Sequence, residues 1–316
     1  MLISMTNRVS SEKINWGNTI YLIISPIISA LAVSYWFYKG WFNWETVILF
    51  LVLTSLIEIS ITAGYHRLFS HRAYKANPIV STFFLFFGAG ALQSSALLWS
   101  LDHRVHHQFV DHKDKDPYSI SRGFMWAHIT WLFYKFDDQV KDIKPADLYQ
   151  DKLVVFQDKY WGYIAVLSGF ILPTLIAHFA WGDIFGGFFV AGMFRSVVNH
   201  HATFLINSVS HCIGKQTYSD THSARDNWFT ALLTFGEGYH NFHHEFPSDY
   251  RNGVRFYQYD PSKWLIYSLS LIGWTYDLKR VSHNLIERKR SAMTKKRAAQ
   301  QLKPAQSDSR QLQPAC

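Results

Sequence analysis

The sequence predicts an all-α integral membrane protein, with four transmembrane helices under a cytoplasmic, histidine-rich cap that holds a di-metal site. Three observations lead there. Four apolar stretches have the length of a membrane span. Many of the sixteen histidines fall into three tight clusters. Lys and Arg concentrate on the segments that carry those clusters.

Composition sets the limits. Of 316 residues, 48% are hydrophobic, 17% aromatic and 17% charged, against about 25% charged in an ordinary soluble domain. That excludes disorder for most of the chain. The mean hydropathy of −0.05 fits apolar spans alternating with long polar segments. A net charge of +8 suits nucleic acid, a membrane surface or an anionic ligand; its distribution favours membrane topology and no nucleic acid. Two cysteines, Cys212 and Cys316, exclude a disulfide framework and a cysteine-based metal site.

Residues 1–18 are a polar tail and give no cleavable signal peptide. The first span, 19–38, holds no charge and tolerates Pro26. Trp36, Tyr38, Trp41 and Trp44 crowd the next connection as an interfacial belt would. The second span, 44–64, contains Glu58. The third, 160–180, has no Asp, Glu, Lys or Arg, and the fourth, 184–206, contains Arg195. Intramembrane charges default to function or pairing, so Glu58 and Arg195 are expected to pair. The segment 65–159 holds 12 Lys/Arg and 207–316 holds 15; the tail holds Arg8 and Lys13, and the loops at 39–43 and 181–183 hold Lys39 alone. Both termini and the central loop therefore face the cytoplasm. Together 19–286 form the membrane domain. From about Glu287 a basic tail follows, a helix fraying into disorder over 287–316.

The clusters are His66-x4-His71, His103-x2-His106-His107 and His240-x2-His243-His244. On a helix, positions i, i+3 and i+4 share one face, so each HxxHH gathers three imidazoles. His66 and His71 would be splayed by about 140° on an ideal α-helix. They act together only if the helix ends between them, or else serve different metals. Eight imidazoles exceed one ion's coordination, so two metals are the natural count. Imidazole suits Zn, Cu, Fe and Ni. Lipid chemistry at an unactivated C–H bond requires oxygen-activating iron or copper. One stretch, 79–98, is uncharged and long enough to span. Crossing would separate the first two clusters, so it is expected to stay buried or interfacial, consistent with Gln93-Ser94-Ser95.

These boxes, in this order, resemble the membrane fatty acyl desaturases, nearest the acyl-CoA Δ9 (stearoyl-CoA type) branch. The strings are TAGYHRLFSHR (62–72), WSLDHRVHH (99–107), NSVSH (207–211) and GEGYHNFHHEFP (236–247), and the similarity runs from about 20 to 275. The resemblance implies nine histidines holding two irons: His66, His71, His103, His106, His107, His211, His240, His243 and His244. It implies that Asn207 approaches one iron through water, and that Gln93, Trp99 and Thr203 line a bent acyl tunnel. The implied reaction uses O2 and two external electrons to place a cis double bond, at Δ9, in a long-chain acyl-CoA. No segment resembles a fused cytochrome b5 or flavin domain. The expected donor is therefore a separate cytochrome b5-like protein, or ferredoxin or rubredoxin with a reductase.

Other residues are weighed individually. Asp102 is a candidate to orient an imidazole from behind; Asp111, Asp114 and Asp116 read as a solvated loop. Where animal acyl-CoA enzymes carry a basic residue in the approach to box two, this chain has Leu101. Arg122, with Arg104 and Arg72, is the candidate to meet CoA phosphates, and a phospholipid-linked acyl chain is the alternative carrier. Glu58 replaces a small apolar residue near the tunnel end, which leaves chain length open. His200 and His201 read as polar packing; His112, His128, His178, His222 and His283 read as non-ligands. The rival functions are a histidine-box hydroxylase, told apart by an alcohol product, and a metal transporter, told apart by ion flux.

Overall fold

The computed structural model describes residues 13–135 and 145–302. Expectations placed on 1–12, 136–144 and 303–316, Arg8 and Cys316 among them, lie outside the described residues.

Among the described residues, three helices are long and apolar enough to cross a membrane: α1 (Trp16–Tyr38), α2 (Trp44–Ser70) and, further on, Lys152–Trp181. Each has a polar side chain at its start. Asn15 accepts from the backbone N–H of Asn18, Asn43 from Thr46 and Asp151 from Leu153, satisfying donors that a helix start leaves unpaired. The α2 helix continues beyond the expected end at 64 and carries box one on its last turns. From Ser60 it winds as a π-helix.

The stretch 79–98 is not one helix. Asn77 caps α3 (Pro78–Ala89), which is 12 residues long, about 18 Å at 1.5 Å per residue, short of roughly 30 Å of hydrocarbon. The chain then turns through Leu92 (φ 57°) and Ser94 (φ 82°). Ser95 caps α4 (Ala96–Phe109), which carries box two. The break keeps boxes one and two at the same end of the bundle.

The third long helix, α5 (Lys152–Trp181), starts eight residues before the expected span. It is followed by α6, a continuous helical run over 184–212. Arg195, Asn199, His200 and His201 dilute its apolarity, and it is not among the helices long and apolar enough to cross. Asp183 ties the far end together: its carboxylate accepts from Trp36 Nε1, Asn43 Nδ2 and Thr46 Oγ1 at 2.7–3.2 Å, and from the Gly186 backbone N–H.

Glu58 and Arg195 do not pair directly. Asn199 stands between them, donating to Glu58 Oε2 at 2.9 Å and accepting from Arg195 Nη1 at 3.0 Å. Arg195 also donates to the Gly169 carbonyl. The Asn199 amide thus bridges the two side chains without direct contact, while Glu58 Oε1 has no hydrogen-bond partner among the described residues.

The cap contains α7 (Trp228–Leu233), α8 (His240–Glu245), α9 (Pro261–Leu271) and α10 (His283–Leu302). A two-residue antiparallel ladder, Lys75–Ala76 with Thr275–Tyr276, ties the segment after box one to the cap. The expected fraying tail is helical to Leu302. It docks on the cap through buried Ile286 and Met293 and through ion pairs Lys289–Glu245 and Lys296–Asp220.

Candidate metal centre

Box one illustrates how local winding sets the site. In the π stretch the His71 backbone N–H bonds the His66 carbonyl at 3.1 Å. That i→i+5 closure replaces the α pattern. It turns residues five apart toward each other, and the two imidazole rings sit 4.8 Å apart. The splay expected on an α-helix does not occur.

Boxes two and three are α-helical and divide their histidines. Four steps of 100° leave i+4 about 40° from i, whereas three steps leave i+3 about 60° away on the other side. Each box therefore aims i and i+4 one way and i+3 the other. The result is two groups, His66, His71, His103, His107 and His243, and His106, His211, His240 and His244. Within each, the ligand-type nitrogens lie within 4.8 Å of one another. All nine histidines named from the sequence and its family resemblance are in these groups.

The nitrogen geometry suits a metal better than hydrogen bonding among the imidazoles. His243 Nε2 is 3.0 Å from His66 Nε2 and 2.9 Å from His107 Nε2. His240 Nε2 is 3.1 Å from His211 Nε2 and 3.0 Å from His244 Nε2. One Nε2 has either one proton or one lone pair in its ring plane, so it cannot hydrogen-bond to two neighbours. Bonds of about 2.1 Å from imidazole to a shared cation would place adjacent nitrogens ~3.0 Å apart. Burial, reinforced by neighbouring imidazoles, holds His71, His103, His107, His211, His240, His243 and His244 well below the ordinary histidine pKa. They are neutral at pH 7, the form that binds metal.

Several imidazoles are held from behind, which fixes which nitrogen faces inward. His106 Nδ1 lies 2.9 Å from Asp116 Oδ1. His211 Nδ1 lies 2.6 Å from Ser223 Oγ, which is itself bonded to Asp111. His103 Nδ1 is 3.3 Å from the Tyr118 hydroxyl. His66 Nδ1 lies 2.9 Å from Glu237 Oε2. Asp102, expected in this role, has no hydrogen bond to any of these imidazoles; burial pushes its carboxyl up to about 7. The role falls to Asp116 and Asp111, which read as solvated from sequence, and to Glu237, which was not singled out. The one sequence signal for Glu237 was its place three residues before His240 in box three. We expect Asp116→Ala to loosen metal binding by about 10–100-fold, read as faster loss of one of two ions to a chelator.

Beneath the clusters lies a buried ionic frame. Arg67, 1% exposed, donates to Glu237 at 2.9 Å, to Asp260 and to the Tyr250 carbonyl. Burial opposes ionisation of Glu237, yet His66 and Arg67 hold its carboxyl down to about 2. Asn252 donates to its other oxygen at 2.6 Å. Box three is positioned from the same place. Gly236 adopts φ 103°, and a Cβ on Gly238 would fall 2.1 Å from the Ala231 backbone nitrogen. No larger residue fits at 238 unless α7 moves.

A cavity of about 760 Å³ runs past His66, His103, His106 and His240. It is lined by Gln93, Trp99, Thr203, Asn207 and Asp102, and extends to Asn15 and Lys135. Trp99 Nε1 donates to Gln93 Oε1 at 3.3 Å, and Gln93 Nε2 donates to Thr203 Oγ1 at 2.8 Å. Trp99 also stacks on His103 at 5.1 Å. Arg122 does not line this cavity; its guanidinium lies 3.2 Å over the Trp126 ring. Arg104 is committed to Asp147 and to the carbonyls of Phe69 and Ser70, and Arg72 lies 3.8 Å from Asp147. His200 lines the cavity, and His201 pairs with His128 at 3.1 Å; neither belongs to a cluster.

Membrane-length helices capped by two buried imidazole clusters, with a cavity alongside, define a helical membrane protein built around histidine clusters suited to holding metal. Comparison with known proteins agrees. The fatty acid desaturase family model matches residues 20–302, and the chain belongs to that family. It is 41% identical to a probable acyl-CoA desaturase of Schizosaccharomyces pombe, over 88% of this chain and 57% of that one. It is 40% identical to acyl-CoA desaturase 1 of Saccharomyces cerevisiae, over 87% and 54%. Against the Delta(9)-fatty-acid desaturase fat-7 of Caenorhabditis elegans the identity is 36%, over 87% and 82%. The chain thus spans little more than half the length of the two fungal relatives. Insect relatives are named as Delta(11) and Delta-12 enzymes.

Proposed function

We propose that the protein is an O2-dependent acyl-CoA desaturase that places a cis double bond, at Δ9, in a long-chain acyl group. The observation that carries this reading is the cavity, of a size usual for a ligand site, which passes histidines of both clusters and is lined by Trp99, Gln93 and Thr203. The relatives named as Δ9 and acyl-CoA enzymes support the carrier and the position.

In this reading the nine clustered histidines hold two irons, which supply O2 activation when bound. Asn207, on the cavity wall, approaches the four-histidine cluster through water. The Trp99–Gln93–Thr203 chain fixes the bend of the acyl chain beside the clusters, and the apolar wall excludes water from the methylenes. A saturated acyl chain, O2, two electrons and two protons give the alkene and two waters. The two electrons come from a redox donor. The 184–206 segment crosses the membrane as a fourth span, its polar residues facing the bundle, with both termini cytoplasmic.

The test is fatty-acid analysis of a host lacking its own desaturase, supplied with this gene and a matched electron donor. A new cis Δ9 monoene is expected. A hydroxylated product would move the protein to the hydroxylase rival, and a product confined to phospholipid acyl chains would change the carrier. No product with a competent donor would overturn the reading.

A further inference from the structure

The clusters meet the cavity on one side and solvent on another. The histidines that line the cavity, His66, His103, His106 and His240, are buried. His71, His107 and His244 do not line it and are partly exposed. These three adjoin. The His107 ring lies 4.6 Å from that of His71 and stacks on that of His244 at 4.2 Å, with 14° between the planes. His107 belongs to the five-histidine cluster and His244 to the four-histidine cluster. Both clusters therefore surface along one continuous imidazole edge.

The surroundings of that edge are basic. Exposed Arg72 follows His71. The α10 helix packs beside His244: Ile286 joins Phe242 and Phe246 in one apolar cluster, and Lys289 pairs with Glu245. This helix has six Lys/Arg and one Glu. Lys289, Arg290 and Lys296 are in ion pairs, whereas Arg288 and Lys295 are exposed and in no ion pair among the described residues. A helix lying on a membrane shows it an apolar face. The exposed large apolar side chains of the cap, Trp228, Phe229 and Leu271 among them, are elsewhere, and none is on α10 among the described residues.

We propose that the His71–His107–His244 edge, with Arg72 and the basic face of α10, is the docking face for an acidic one-electron carrier protein. Electron-transfer encounters use small interfaces, and opposite charges speed their association. Two reduced carriers, each giving up one electron and leaving oxidised, supply the pair that the proposed reaction consumes. Docking here leaves the cavity free, so carrier and acyl chain bind at different faces. The inference rests on that reaction's need for external electrons.

The experiment uses the full chain as parent, R288E/K295E, R288Q/K295Q and R288K/K295R. The probes are two carriers of net negative charge, a cytochrome b5 haem domain and a ferredoxin. Carrier binding is read without turnover as Kd; turnover gives KM for the carrier, KM for the acyl-CoA and kcat. R288E/K295E should raise the carrier Kd and KM at least about 10-fold, with kcat at saturating carrier and the acyl-CoA KM unchanged. R288K/K295R should match the parent. R288Q/K295Q should lie between, and it reports even if charge reversal impairs folding. The parent's carrier KM should climb as ionic strength passes about 0.1 M, where the screening length is ~10 Å, and the reversed variant's should climb less. Parent-like carrier binding and salt dependence in the folded variants would overturn the docking face, as would a parent that binds neither carrier. A deficit seen only after reconstitution with anionic phospholipid would overturn it too, making α10 a lipid-facing helix. A parent that binds carrier through these residues but forms no alkene would leave the docking face standing and sink the proposed reaction.

Discussion

Replacing His243 with alanine is expected to abolish the new monoene and to release one of two bound ions. His243 Nε2 stands between His66 Nε2 and His107 Nε2 at 3.0 and 2.9 Å. Without it, the five-histidine cluster loses its one imidazole from box three. Loss of a residue behind a ligand already costs about 10–100-fold in metal affinity or activity, so loss of the ligand itself should exceed that range. The variant's metal content, measured by mass spectrometry after dialysis, should fall from two ions toward one. H283A, an exposed histidine of α10, is the control and should retain both. If H243A retained two ions and full product, the five-histidine cluster would not be a metal site.

The second large effect is on stability. Arg67→Met should destabilise the fold by about 3–5 kcal/mol, because it strands the buried carboxylates of Glu237 and Asp260. In a chain of this size that corresponds to a thermal midpoint lower by on the order of 10 °C, read in detergent at one scan rate because unfolding of such proteins is often irreversible. Removing Glu237 as well should recover part of the loss, since one stranded charge is removed with it. A double-mutant cycle over R67M and E237Q measures that coupling. An unchanged midpoint for R67M would mean that the frame contributes nothing to holding box one against box three. The carboxyl of Glu237 is held down to about 2, so its contribution is complete above the ordinary carboxylate range and drains progressively as pH falls from that range through about 2. In R67M the charge of Arg67 is gone while burial still opposes ionisation of Glu237, so its carboxyl rises and the deficit should be larger at pH 8 than at pH 6.

Much of the site was legible because its chemistry is local. Three histidine boxes, apolar stretches of membrane length and the Gln93-Ser94-Ser95 interruption are all written in short windows. The interruption was read as a reason for 79–98 not to cross, and the helix does end at Ala89. The grouping of Trp99, Gln93 and Thr203 came from family resemblance, and the structure joins them in one hydrogen-bonded chain. What local windows misjudged was contact. Glu58 and Arg195 share a region, but Asn199, one turn along α6, takes both. Asp102 adjoins a box histidine in sequence, yet Asp116, ten residues beyond His106, is the carboxylate that holds it.

By itself the sequence determined which side chains could bind metal and roughly where along each helix they would stand, because helical periodicity is set by backbone geometry within a few residues. Only the tertiary structure decided the partition of nine imidazoles into groups of five and four, the π winding that turns His71 toward His66, and the docking of α10 against box three. Those outcomes depend on how separate helices cross and which polar groups are left to satisfy once they are buried. Such contacts join residues more than a hundred positions apart, as His66 with His243, and no spacing along the chain encodes them.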